Sequence, residues 1–147
     1  MSCEPFKNCS EFTSDKRATV TCSDKKSSTT YIYNNPNSDR LSKYRVDGCL
    51  INDNSAKCDY LLLNCDKSKS YFIELKGSDL IRAVEQIDRS IDLLEHALAD
   101  YSVSARIVVT RVNTLDLKNT KYIKLERKVK NLNGDLKKQS RQMTEQD

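Results

Sequence analysis

A chain of 147 residues, 37% hydrophobic and 31% charged, is one domain's worth of sequence with enough apolar material for a single core. Its 3 glycines, Gly48, Gly77 and Gly134, stand too far apart for a glycine-rich phosphate loop, and the single histidine, His96, disfavours histidine metal cages and a Ser-His-Asp triad. No apolar run is long enough for a membrane span, and the N-terminal MSCEPFKNCSEF lacks a signal-peptide stretch, so the cytoplasm is the expected compartment.

In chain order, residues 1–17 are polar and irregular, with a short helical turn expected around Ser10–Lys16. Ala18–Cys22 and Thr29–Tyr33 are β-branched and aromatic and predict a hairpin across SDKKSS. After the turn residues Asn34–Asp39, Lys43–Ile51 predicts a strand and Asn52–Ala56 another turn. Cys58–Cys65 (CDYLLLNC) carries a nearly continuous apolar run, the pattern of a strand buried on both faces. Tyr71–Lys76 (YFIELK) follows as a strand stopped by Gly77.

Leu80, Val84, Ile87, Ile91, Leu94 and Leu98 then form one stripe on a helix, with Ser78 as its expected N-cap and Asp79 in its first turn. Arg106–Val112 predicts a second buried strand. Tyr122, Leu125, Val129 and Leu132 mark a second helix ending at Asn133-Gly134. Asp135–Asp147 reads either as a short strand or as a disordered tail. Strands, helix, strand, helix predict an α/β (α+β) domain: one mixed central sheet flanked by helices, with an N-terminal β-hairpin extension.

Charge and cysteine are both unevenly distributed. Residues 101–147 hold 11 Lys/Arg against 5 Asp/Glu, whereas residues 1–100 hold 14 against 16. A basic helix is most simply a solvated face, but a phosphate backbone would also meet Lys121, Lys124, Arg127, Lys128 and Lys130 there. Cys3, Cys9, Cys22, Cys49, Cys58 and Cys65 include no CxxC pair. Reduced, buried thiols are expected, with a zinc clasp through Cys3, Cys9 and Cys22 as the alternative.

The chemistry lies in charges placed inside core strands. Glu74 and Lys76 share one face of their strand with Phe72. If the preceding strand pairs antiparallel through the Asp66–Ser70 loop, Asp59 comes to lie beside them. Two buried carboxylates repel each other and cost several kcal/mol to desolvate. A divalent cation removes both problems, because Mg²⁺ takes one or two protein carboxylates together with water and phosphate oxygens.

Asp59 in CDYLLL and Glu74-Leu75-Lys76 in YFIELKG resemble the PD-(D/E)XK phosphodiesterase superfamily of restriction endonucleases, junction resolvases and RecB-type nucleases. An E-x-K triplet alone is a chance match in so charged a chain; its setting on an apolar strand, after a strand that opens on Asp and before an amphipathic helix, carries the resemblance. It covers about residues 43 to 132, so residues 43–134 would form a nuclease core between an extension (1–42) and a polar tail (135–147). The resemblance implies a restriction endonuclease-like fold in which Asp59 and Glu74 bind Mg²⁺ or Mn²⁺. Lys76 would act as the base or stabilise the transition state.

Cys58 replaces the proline that names the motif. The further acid that the family draws from an N-terminal helix has Glu11 as its best-placed candidate, Glu4 next, and Asp47 as an in-strand alternative that also reads as a turn carboxylate. Gln86 falls where RecB-like members place a glutamine; its plainer reading is the helix surface, and Ser90 stands near where a tyrosine would accompany it. His96 reads as a helix-end residue. The resemblance therefore implies a metal-dependent nuclease acting on nucleic acid, DNA rather than RNA, in restriction, phage defence or repair. Specificity would come from a protein partner, a homodimer mate or the structure of the nucleic acid. The alternative is an idle fold kept as a binding module.

Overall fold

The computed structural model describes residues 2–147 as three layers. The central layer is a six-stranded sheet built from β1 (Ser10–Asp15), β4 (Leu41–Arg45), β5 (Tyr60–Asn64), β6 (Lys69–Leu75), β7 (Ser102–Val109) and β8 (Leu136–Ser140), in that spatial order. Pairing is antiparallel from β1 to β6 and parallel from β6 to β8. A smaller sheet joins β2 (Thr19–Asp24) and β3 (Thr29–Asn34), the predicted hairpin, to β9 (Gln142–Gln146).

Alternation along the central strands fills two cores. Leu61, Leu63, Phe72, Ile107 and Val109 face α1 (Leu80–Leu94) and α2 (Thr120–Asn131). Leu62, Tyr71, Ile73, Leu75 and Val108 face Val20, Cys22, Tyr31 and Tyr33 of the small sheet and Met143 of β9. The mixed α/β class expected from sequence is present, but the helices cover only one face of the sheet; the hairpin and β9 cover the other. Arg106, on the small-sheet face, is buried with its charge matched by Glu145 at 2.6 Å and Asp135 at 2.8 Å, as a buried guanidinium requires.

Several local expectations are corrected. Where a helical turn was expected over Ser10–Lys16, Ser10–Asp15 is strand β1; its register against β4 is interrupted twice, so no clean alternation marks it. The strand expected over Lys43–Ile51 ends at Arg45, and Val46–Ile51 folds back as a turn with Gly48 at φ 75°. The strand expected from Arg106 begins four residues earlier, at Ser102. The N-cap of α1 is Asp79, which accepts the Arg82 N–H at 2.9 Å, not Ser78. The 135–147 segment forms β8 and β9, one strand in each sheet.

The four cysteines Cys3, Cys9, Cys49 and Cys65 are not free thiols: Cys3 bridges Cys65 and Cys9 bridges Cys49. The zinc clasp is corrected with them, since Cys22 lies apart in the small-sheet core. Cys22 and Cys58 remain buried free thiols, as expected. The spans explain the miss: bridges over 62 and 40 residues depend on the fold rather than on local spacing.

Asn133 ends α2 in the left-handed region at φ 65°, and the Gly134 N–H returns to Val129 O at 2.8 Å. A Cβ on Gly134 would stand 1.9 Å from Val103 O. Gly134→Ala must therefore displace β7 backbone, and a loss of about 1–3 kcal/mol is expected in urea unfolding. An unchanged midpoint would show that this junction gives way freely.

Candidate active site

β5 and β6 form the antiparallel hairpin that the sequence predicted, with Tyr60 opposite Ile73. Asp59 lies one residue before β5 and is held by its own backbone. Its N–H donates to Ile73 O at 3.1 Å, and its carbonyl accepts the Val46 N–H at 3.0 Å. Its Oδ2 accepts the Leu75 N–H at 2.9 Å, which turns the carboxylate toward Glu74 on β6. Ser90 of α1 adds a fixing point by accepting the Cys58 N–H at 2.8 Å while donating to Gln86 O. Ser90 thus ties α1 to the residue before Asp59.

Glu74 is only 2% exposed, and its Oε1 has no hydrogen-bond partner. Burial, then the charge of Asp59, push its carboxyl up to about 9; Lys76 opposes the rise. Burial pushes Asp59 up to about 6, against the pull of the Leu75 N–H and with further repulsion from Asp24 and Asp47. Each carboxyl acts on the titration of the other. They titrate as a pair that resists full ionisation.

These groups open into a cleft of about 610 Å³ at the end of the sheet, lined also by Lys76, Gly77, Thr110 and Gln86. Lys76 follows β6 directly, and its N–H donates to Val108 O at 2.9 Å. Gln86 faces the cleft from α1: its Nε2 donates to Lys57 O at 3.2 Å, and its Oε1 is buried without a partner. Asp47 reaches the same cleft from the turn after β4. Asp59, Glu74, Lys76, Asp47 and Gln86 are therefore brought together.

The other candidates lie elsewhere. Glu11 pairs with Lys43 at 2.8 Å, and Glu4 accepts the Thr13 hydroxyl at 2.7 Å; neither lines the cleft. His96 sits in a 3-10 turn beyond α1. On α2, Lys128 is bound to Asp88, at 2.6 Å, and to Asp92, while Lys121 pairs with Glu85 at 3.3 Å. Lys128 thus clamps α2 to α1, leaving Lys124, Arg127 and Lys130 as the exposed cations of that helix without an ion partner among the described residues.

Sequence reasoning missed the third wall. Asp24, Lys26 and Ser27 at the tip of the β2–β3 hairpin line the cleft. Their charged turn was visible in SDKKSS, but its placement depends on how the small sheet docks.

Among the described residues no three His, Cys, Asp or Glu side chains converge as a ready ion cage. The buried, partnerless Glu74 oxygen beside Asp59 nonetheless fits a cation held by two carboxylates, its other positions left to water and phosphate oxygens. No family model matches the chain, and neither does any curated protein or solved structure. No helix among the described residues is long and apolar enough to cross a membrane.

Proposed function

We propose that the chain is a metal-dependent nuclease of the PD-(D/E)XK type, hydrolysing phosphodiester bonds in nucleic acid, DNA in preference to RNA. One observation carries this reading: a buried carboxyl with an orphan oxygen, Glu74, beside Asp59 in an open cleft that also holds Lys76. A carboxyl so placed is costly to ionise unless it serves a ligand.

Asp59 and Glu74 would hold Mg²⁺ or Mn²⁺, which would supply Lewis acidity toward a phosphoryl oxygen when bound. Lys76 places its ammonium where water approaches phosphorus and steadies the negative charge that develops there. Water gives up a proton to solvent as its oxygen bonds to phosphorus, the bond to the leaving sugar oxygen breaks, and that oxygen takes up a proton from solvent. Gln86 presents an unused amide oxygen that orients the water or the substrate. Arg127 and Lys130 give sequence-independent contacts to backbone phosphates. Restriction, phage defence and repair are the settings that such an activity suits, with a second copy or a protein partner supplying specificity.

The test compares wild type with Glu74→Ala on plasmid, single-stranded DNA and structured RNA, with Mg²⁺ or Mn²⁺ and with EDTA. Metal-dependent cleavage that falls at least about a thousandfold in the variant supports the proposal. An idle fold serving as a binding module is the second reading, favoured by the lack of a ready three-donor cage among the described residues. Intact substrates together with no Mn²⁺ binding by calorimetry would select it.

A further inference from the structure

The hairpin tip needs an explanation that the carboxylate pair does not give. β2 and β3 pair over six residues each, and β9 braces β3 from the other side. Val20, Cys22, Tyr31 and Tyr33 seat this sheet on Leu62, Tyr71, Ile73 and Leu75. The tip is therefore set against the strand that carries Glu74.

The tip is also ordered within itself. Asp24 accepts the Lys26 N–H at 3.0 Å and the Ser27 hydroxyl at 2.9 Å, and Ser27 meets the Thr29 hydroxyl at 2.6 Å. Asp24 lies near enough for its charge to act on Asp59. Lys26 is exposed, lines the cleft, and has no ion pair among the described residues.

A polyanion entering this cleft meets acids at Asp24, Asp47, Asp59 and Glu74 and needs cations on its walls. Besides Lys76 beside the reaction centre, Lys26 is the only Lys or Arg lining the cleft among the described residues. We propose that Lys26 is a substrate-binding residue that grips a backbone phosphate next to the scissile one, and that the β2–β3 hairpin is the wall against which the nucleic-acid strand is held. This rests on the nuclease reading above and adds an element outside its catalytic residues.

The test compares wild type, Lys26→Ala, Lys26→Arg and Lys25→Ala, with equal thermal unfolding confirming intact folds. Lys25 is exposed on the same turn but does not line the cleft, so it controls for general charge. Binding of a labelled DNA oligonucleotide is measured in EDTA across a salt series, and cleavage with Mn²⁺ as KM and kcat.

Lys26→Ala is expected to weaken binding and raise KM by about tenfold. It should also lower the slope of log affinity against log salt by about 0.7–0.9, the value of one lost phosphate contact. Arg at this position should restore most of both, and Lys25→Ala should change neither. Wild-type behaviour in Lys26→Ala, or an equal loss in Lys25→Ala, would overturn the proposal while leaving a cleaving wild type as a nuclease. A wild type that neither binds nor cuts would remove the nuclease reading itself.

Discussion

Replacing Glu74 with glutamine should stabilise the metal-free protein at pH 8 and leave it almost unchanged at pH 4. The carboxyl is raised from 4.5 in its ordinary state to about 9 in the fold. Between those values the folded protein holds a proton that the unfolded chain has released, so stability falls as pH rises. Each pH unit inside that window subtracts up to about 1.4 kcal/mol. Asp59, raised from 3.8 to about 6, adds a penalty of the same sign over a lower range. Glutamine keeps the shape and has no proton to lose, so a gain on the order of 2–3 kcal/mol is expected by pH 7.

Mn²⁺ should reverse the comparison. A cation between the carboxylates favours their ionised forms, so it should stabilise wild type at pH 8, release protons on binding, and do little for the variant. Urea unfolding at pH 4, 6 and 8, with and without Mn²⁺, reads all of this. Parallel stability curves for the two proteins across pH would show that Glu74 is not an uncompensated buried acid.

Opening the two disulfides should have the next largest effect. Cys3–Cys65 ties the N-terminal segment to the end of β5, and Cys9–Cys49 ties the approach to β1 to the turn that carries Asp47. Constraining loops of this size in the unfolded chain stabilises the fold by about 4 kcal/mol per bridge from chain entropy alone, and often by about 2–4 in practice. Cys3→Ser with Cys65→Ser, or reductant on wild type, should therefore lower the urea midpoint markedly.

Denatured wild type without reductant should show two free thiols, Cys22 and Cys58, and six after reduction. In the native state both should resist alkylation, because burial pushes the Cys22 thiol up to about 12 and raises Cys58 well above its ordinary value. Six reactive thiols, or a midpoint indifferent to reductant, would refute the pairing. Bridged cysteines belong to oxidising compartments, so this count also bears on where the protein works.

What the sequence revealed followed from strong periods. The stripe of α1 and the apolar run of β5 were legible because each buries a continuous surface. The pairing of Asp59 with Glu74 was legible because a short loop between two strands leaves few registers. The rest lacked such a signal. β1 is a half-exposed edge with a broken register. β9 (QMTEQ) buries only Met143, and nothing in one methionine among four polar residues tells which sheet will take them. Asp24 and Lys26 reach the cleft only because one small sheet docks on another, a long-range event that local pattern does not encode. Asp47, in turn, is brought there by a fold-back where a continuing strand was expected.

The parallel seam between β3 and β9 has a consequence for the order of assembly. Residues 142–146 lie along residues 30–34, so the hairpin gains its bracing strand from a stretch synthesised long after it. Contacts so distant in sequence close late and slowly. β5, which Asp59 precedes, and β6, which carries Glu74, are local neighbours whose pairing closes a much shorter loop. A nascent chain would thus bring its two carboxyls together before the hairpin that forms the third wall of their cleft is braced, an order that follows from where β9 falls in the chain.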